Sequence, residues 1–328
     1  MAKTRTSRHL LIAAQILISS VLLLYLLQII PFQSLRDAAL GTDAALLVVG
    51  TVAMLSVHWL ASLQLKWTLL PQGISIGSLQ VLRINLIAMF YSLFLPTLIG
   101  GAGVRWYHLS RFSRGPIQSL AAIVFNRTYD TLLLVAFGII ALLANFQLSI
   151  ESNAIVGFLL LFVIAQATYL LAFNRRVHAW CKNLADIVPM PEIVRGWLMK
   201  FIDALSQFDS LGSRFHVKLL AVGIFRHVLS VALVMLFVYA VNIEISVLTI
   251  AWIRSLVAML EMLPFSIAGL GIREATLVIT LGQFGVPAEQ AFLLSLLLFA
   301  RTAVYGMVGG IIEGIRVFWS HDSTEALS

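Results

Sequence analysis

Apolar runs of bilayer-spanning length dominate this chain. A spanning helix needs about twenty predominantly apolar residues. Such runs occur near 10–30, 44–66, 119–142, 154–173, 217–240 and 288–312. Two further apolar stretches, about 82–112 and 249–284, are interrupted by glycine and proline. Of the 328 residues 60% are hydrophobic and 11% charged, and mean hydropathy is +0.96. A soluble domain carries about one quarter charged residues. The chain reads as an all-α integral membrane protein, a polytopic helical bundle.

The basic start, Lys3, Arg5 and Arg8, precedes the first apolar run. A secretory signal has a shorter apolar core and a small-residue cleavage site. The start therefore reads as an uncleaved first span, with cleavage near "DAALG" as the alternative. The net charge of +7 fits the positive-inside bias and anionic lipid headgroups, so nucleic acid is not an expected partner. A single cysteine, Cys181, excludes an intrachain disulfide and a cysteine-based metal site. No cofactor or metal is expected.

The interrupted stretches carry "LPTLIGGAGVR" at 95–105 and "LPFSIAGLGIR" at 263–273. Both read L-P-x-x-I-x-G-x-G-x-R at an offset of 168 residues, which pairs Pro96 with Pro264, Gly101 with Gly269, Gly103 with Gly271 and Arg105 with Arg273. Proline removes a helix donor, and Gly100, Gly101 and Gly103 allow turns that other residues resist. A half-helix over about 84–95 rises roughly 18 Å, so its break falls near mid-depth of a core about 30 Å thick. If 84–99 crossed fully, Arg105, Arg111 and Arg114 would lie outside, against the positive-inside rule. A segment that dips in and returns keeps them inside with Lys66 and Arg83.

The same offset carries 44–66 onto about 212–234, and "FNRT" at 125–128 is echoed by "FART" at 299–302. The expected fold has two halves, 1–150 and 151–328, each with three spans plus one re-entrant broken helix. Three is odd, so the halves are inverted relative to each other. Both chain ends are then cytoplasmic in a multi-pass cell-membrane protein. Paired broken helices meeting at mid-membrane are a transporter design. The alternative is that both breaks are tight packing points. The connection at 174–216 is cytoplasmic and contains an amphipathic helix, "EIVRGWLMKFIDALSQF", which lies in the interface or packs under the bundle.

Charged residues at depth are candidates for function. Arg105 and Arg273 end the breaks, and Arg127 and Arg301 lie well inside their spans. Asp130, Glu261 and Glu274 are candidate partners. One reading is a cationic site for an anionic headgroup, because guanidinium suits phosphate. The other is a pair of structural ion pairs, Arg127–Asp130 and Arg301–Glu261. His58, Arg226 and His227 lie nearer span ends and read as packing or snorkelling groups. There is no HExxH, GxSxG, Walker loop or C-x-x-C, so no enzyme activity is expected.

"FLPTLIGGAGVRWYHLSR", "FNRTYDTLLL" and "LPFSIAGLGIREATLVITLGQFGVP" resemble the flippase-like membrane domain family. That family includes the membrane part of lysylphosphatidylglycerol synthases and many stand-alone proteins. The resemblance implies a protein that moves or binds lipids. Its glycine and arginine pattern maps onto Gly100, Gly101, Gly103, Arg105, Arg127, Asp130, Gly269, Gly271, Arg273 and Glu274. It does not imply aminoacylation, which belongs to a separate soluble domain with no counterpart in these residues. The expected function is a lipid flippase-like transporter of an anionic phospholipid or polyprenyl-phosphate-linked lipid. Two alternatives stand beside it. One is a non-transporting partner that presents lipid to a glycosyltransferase or lipid synthase. The other is a lipid-carrier-modifying enzyme with Glu274 or Asp130 as base.

Overall fold

The computed structural model describes residues 21, 24–26, 28–95, 100–113, 115–145, 160, 163–164, 166–167, 175–262 and 269–325. Among these residues every regular element is helical. In chain order they are α1 (Phe32–Leu40), α2 (Ala44–Leu69), α3 (Ser78–Phe94), α4 (Gly100–Ser110), α5 (Pro116–Ala144), α6 (Arg175–Ile187), α7 (Glu192–Ser206), α8 (Ser213–Ala240), α9 (Val247–Leu260), α10 (Ile272–Gly282) and α11 (Ala288–Glu325). Four stretches among them are long and apolar enough to cross a bilayer: Ala44–Gln72, Pro116–Ala144, Ser213–Ala240 and Ala288–Val317. They correspond to four of the six expected spans. The runs at 10–30 and 154–173 lie mostly outside the described residues.

Helix starts follow local chemistry. Asp43 Oδ1 accepts from the N–H groups of Ala45 at 2.8 Å and Leu46 at 3.2 Å, which caps α2. Pro116 opens α5, where its missing donor costs nothing. Ser246 Oγ accepts from Thr249 N–H at 3.1 Å and caps α9.

Both interrupted stretches do form paired short helices. α3 and α9 have 17 and 14 residues, about 26 and 21 Å of rise, so neither alone crosses a core of about 30 Å. The prolines of the two breaks, Pro96 and Pro264, lie outside the described residues. The matched glycines behave differently in the two copies. Gly101 and Gly103 are inside helix α4, whereas Gly269 and Gly271 precede α10 with φ of +76° and +85°. Only the second break uses glycine for left-handed backbone. In the first, Gly101 serves close approach: a Cβ there would fall 2.1 Å from Ser92 Oγ and 2.9 Å from the Ala88 carbonyl oxygen. The start of α4 is therefore folded back onto the end of α3. In the second copy, α9 and α10 pack against each other as an antiparallel hairpin. Glu261 meets Arg273 at the closed end, and the rings of Trp252 and Phe284 lie 6.2 Å apart towards the open end.

The chain divides into two compact units. The first comprises the chain up to Leu55, Arg83–Arg105 and Val231 onwards. Here α2 and α8 run antiparallel: Asp43 N–H donates to Ala240 O at 2.9 Å, and Gly50 faces Phe237. Asn242 Nδ2 donates to Gly41 O at 3.0 Å and closes the same end. α3 and α11 also cross antiparallel, through glycine. A Cβ on Gly309 would fall 2.0 Å from the Leu86 carbonyl oxygen, and Gly306 and Gly310 face Leu93 and Phe90. Small residues give membrane helices this close approach. Leu26, Ile30 and Phe292 form a cluster that Ala275, Val278 and Leu296 cover, which packs the first apolar segment on α10 and α11.

The second unit comprises Ser56–Leu82 and Trp106–Ser230. α5 and α8 run parallel there. Contacts rise together along both, from Phe125 with Phe215, through Leu133 with Gly223, to Phe137 with His227. α7 packs on the start of α5 through Ile117, Ala121, Ala204 and Leu205, and Phe125 stacks on Phe208 at 4.0 Å. Gln72 Nε2 donates to Ala204 O at 2.8 Å. The amphipathic helix is thus packed at its C-terminal half. Its N-terminal half leaves Ile193, Val194 and Trp197 exposed.

Gly309→Ala forces the α3–α11 crossing apart, because the clash is with backbone. It should lower stability by about 1–3 kcal/mol. Gly314→Ala, with nothing within 4 Å of its Cβ, should stay within about 0.5 kcal/mol. Thermal unfolding of the purified protein in detergent measures both.

Candidate functional site

The second break gathers charge in the first unit. Gly271 stands at the N-cap of α10, and Glu274 in the first turn reaches back to accept from Gly271 N–H at 2.6 Å. The other oxygen of Glu274, Oε1, accepts from Ser295 Oγ of α11 at 2.8 Å. It also accepts from Arg273 Nε at 3.2 Å and Nη2 at 3.1 Å. Arg273 Nη1 pairs with Glu261 Oε1 at 3.3 Å, and its Cζ lies 5.2 Å from the Phe299 ring centroid. Glu274 is fully buried and Arg273 nearly so. Glu261 is about one-third exposed along its side chain, at 32%.

Backbone shape makes this arrangement possible. A Cβ on Gly269 would fall 2.7 Å from Glu261 Oε1 and 2.9 Å from its Cγ. Glycine at 269 therefore provides left-handed backbone and room for the Glu261 side chain at once.

Two more arginines share the field of this cluster. Arg301, in the middle of α11, lies within electrostatic reach of Arg254, Arg273, Glu261 and Tyr305. Its Cζ is 5.5 Å from the Phe237 ring centroid. Arg254 of α9 interacts with Glu261. Tyr305, one turn after Arg301, donates its hydroxyl to the Thr51 carbonyl and ties α11 to α2. The cluster thus holds Arg254, Arg273 and Arg301 against Glu261 and Glu274.

Sequence reading found Arg273, Glu274, Glu261 and Arg301, and the structure brings these together. It missed Arg254, the lone cation in "VLTIAWIRSLVAML". A charge inside a short apolar helix was the available signal. Ser295 was also missed and carries no comparable signal. Arg105 sits half-buried in the second turn of α4.

Arg127 and Asp130 belong to the second unit and do not pair. Asp130 Oδ1 instead takes Arg226 of α8 and lies 3.5 Å from His227 Nε2. Arg127 is exposed and forms no ion pair among the described residues. Residues three apart share a helix face, but a carboxylate reaches as readily across to a neighbouring helix. Arg226 and His227 therefore fix two helices together. Among the described residues no group of three His, Cys, Asp or Glu could hold a metal ion.

The sequence profile of one family, described as "Lysylphosphatidylglycerol synthase TM region", matches residues 12–310. Comparison with curated proteins and with solved structures finds no match.

Glu274→Ala should cost about 3–5 kcal/mol, because it strands a buried guanidinium. Ser295→Ala should cost about 2 kcal/mol through one charge-assisted hydrogen bond. Thermal unfolding in detergent compares the two; equal stability of Glu274→Ala and the parent would contradict the assigned network.

Proposed function

The chain belongs to the lysylphosphatidylglycerol synthase transmembrane-region family, and from that premise we propose that it binds the headgroup of an anionic lipid and passes the lipid between leaflets. The cargo is a phospholipid or a polyprenyl-phosphate-linked lipid. The observation that carries this reading is the cluster of three arginines and two carboxylates, with Arg273 and Glu274 buried, beside a helical hairpin too short to cross. Charge at that depth is costly unless it serves a ligand or pathway. The tails stay in lipid while the headgroup meets the arginines.

The architecture favours two inverted halves. A shift of 168 residues places α2 on 212–237, against α8 at Ser213–Ala240, and α3 on 246–262, against α9 at Val247–Leu260. α2 and α8 are antiparallel, so the hairpins that follow them enter from opposite faces. In this reading α3–α4 is re-entrant from the cytoplasm, α9–α10 from outside, and both chain ends are cytoplasmic. The parallel course of α5 and α8 agrees, since both then run outward.

A chemical role is less well supported. Both Glu274 oxygens are already occupied by Gly271, Ser295 and Arg273, which leaves a poor general base. Asp130 is likewise held by Arg226.

Reconstitution in liposomes tests transport. The protein should speed the flip-flop of fluorescent anionic lipid, and Arg273→Ala, which strands two carboxylates at the tip of the hairpin, should remove most of that acceleration, by about tenfold or more. Unaccelerated flip-flop of every lipid tried, phospholipid and polyprenyl-linked, sinks the reading. Topology has a separate check. Ser110→Cys in a Cys181→Ser background should react with thiol reagent only from the cytoplasmic side, and labelling from outside would overturn the re-entrant first hairpin.

A further inference from the structure

We infer that the anion is held by Arg254 and Arg301 rather than by Arg273, and that its class is a phosphate-type oxyanion of one negative charge. The inference rests on the lipid-binding reading above and assigns the contacts within it. Arg273 is already engaged: Nε and Nη2 donate to Glu274, Nη1 faces Glu261, and the guanidinium lies near Phe299. A guanidinium locked by two carboxylates holds the hairpin closed and has few donors left for a ligand.

Arg254 and Arg301 are in the opposite condition. Arg254 Nη1, Arg301 Nε and Arg301 Nη1 are buried and find no hydrogen-bond acceptor among the described residues. Buried polar groups are almost always satisfied, and an unsatisfied cationic donor is the costliest kind. The two side chains come from α9 and α11 and interact electrostatically with each other. Both also act on Glu261, whose Oε1 is already paired with Arg273, so two like charges share one engaged carboxylate and favour a further anion beside them. Guanidinium donors match phosphate oxygens in both geometry and charge.

Charge balance narrows the class. Arg254, Arg273 and Arg301 contribute three guanidinium groups, against the two carboxylates of Glu261 and Glu274, both paired with Arg273. One excess positive charge remains. A phosphodiester monoanion neutralises it, whereas a dianionic monoester overshoots. A lipid headgroup and a free phosphate ion offer the same oxygen chemistry, and they are separated by experiment.

The test uses the full chain purified in neutral detergent, with Arg254→Met and Arg301→Met variants. The probes are phosphatidylglycerol, phosphatidic acid and inorganic phosphate, each titrated separately. Phosphatidylglycerol should bind saturably and more tightly than phosphatidic acid, and each variant should weaken it by at least about tenfold. Inorganic phosphate binding that the same variants abolish, with no lipid binding, would keep the seat and name the free ion as its occupant. Without ligand, the variants should unfold at or above the parent temperature, because guanidinium donors that lack acceptors have been replaced by an apolar side chain. Variants that bind like the parent overturn the assignment, as do variants that unfold at lower temperature while the parent shows no anion-dependent stabilisation. Vesicle flip-flop separates this from the transport reading. Parent-like flip-flop in both variants removes the seat and leaves transport standing. Anion binding that these residues control, without flip-flop in the parent, removes transport and leaves the seat.

Discussion

The Glu274 carboxylate joins a broken backbone, a guanidinium and a neighbouring helix. Hydrocarbon offers no hydrogen bonds, so non-helical backbone at depth must find its partners in protein. Glu274 provides one at Gly271 N–H, a second at Ser295 and a third at Arg273. Its charge is what lets Arg273 stay buried, and Arg273 in turn holds Glu261 beside Gly269. Removing the carboxylate would leave an amide and a hydroxyl unmet and Arg273 with Glu261 alone at the same point. The hairpin of α9 and α10 is closed by polar chemistry at its tip, with apolar packing along its sides.

The rest of the first unit presents that hairpin to α11. The glycine face at 306, 309 and 310 brings α11 against α3, and Tyr305 bonds it to α2. These contacts fix the helix that carries both Ser295 and Arg301. The second unit is held differently, by Asp130 between α5 and α8 and by aromatic stacking under α7. Its ion pair joins spans that run the same way.

The spans α2, α5, α8 and α11 were legible because length and hydropathy are one-dimensional properties. The broken helices were legible too, since each apolar stretch carries a proline, which cannot donate to a helix, beside clustered glycine. What the glycines do there was not. Gly101 and Gly269 align in sequence, yet one sits in a helix against Ser92 and the other in left-handed backbone beneath Glu261. That difference depends on the neighbour each glycine meets, which spacing does not encode. The same limit explains Asp130. Its i−3 neighbour Arg127 was the visible partner, but Arg226 stands closer across the helix pair. Arg254 is a lone cation in an apolar helix, and it lies outside the repeated motif that marks the other arginines.

Under the proposed function, the uneven count of three arginines and two carboxylates would expose the site to the membrane's electrical state. An elementary charge moved fully across the bilayer exchanges about 2.3 kcal/mol with every 100 mV of potential. An empty cluster carries that charge and a monoanion-filled one does not. Under the proposed function, a displacement of the hairpin through the field is electrogenic when the site is empty and electrically silent when it is loaded, so the potential acts on the return of the empty site and leaves the loaded passage untouched.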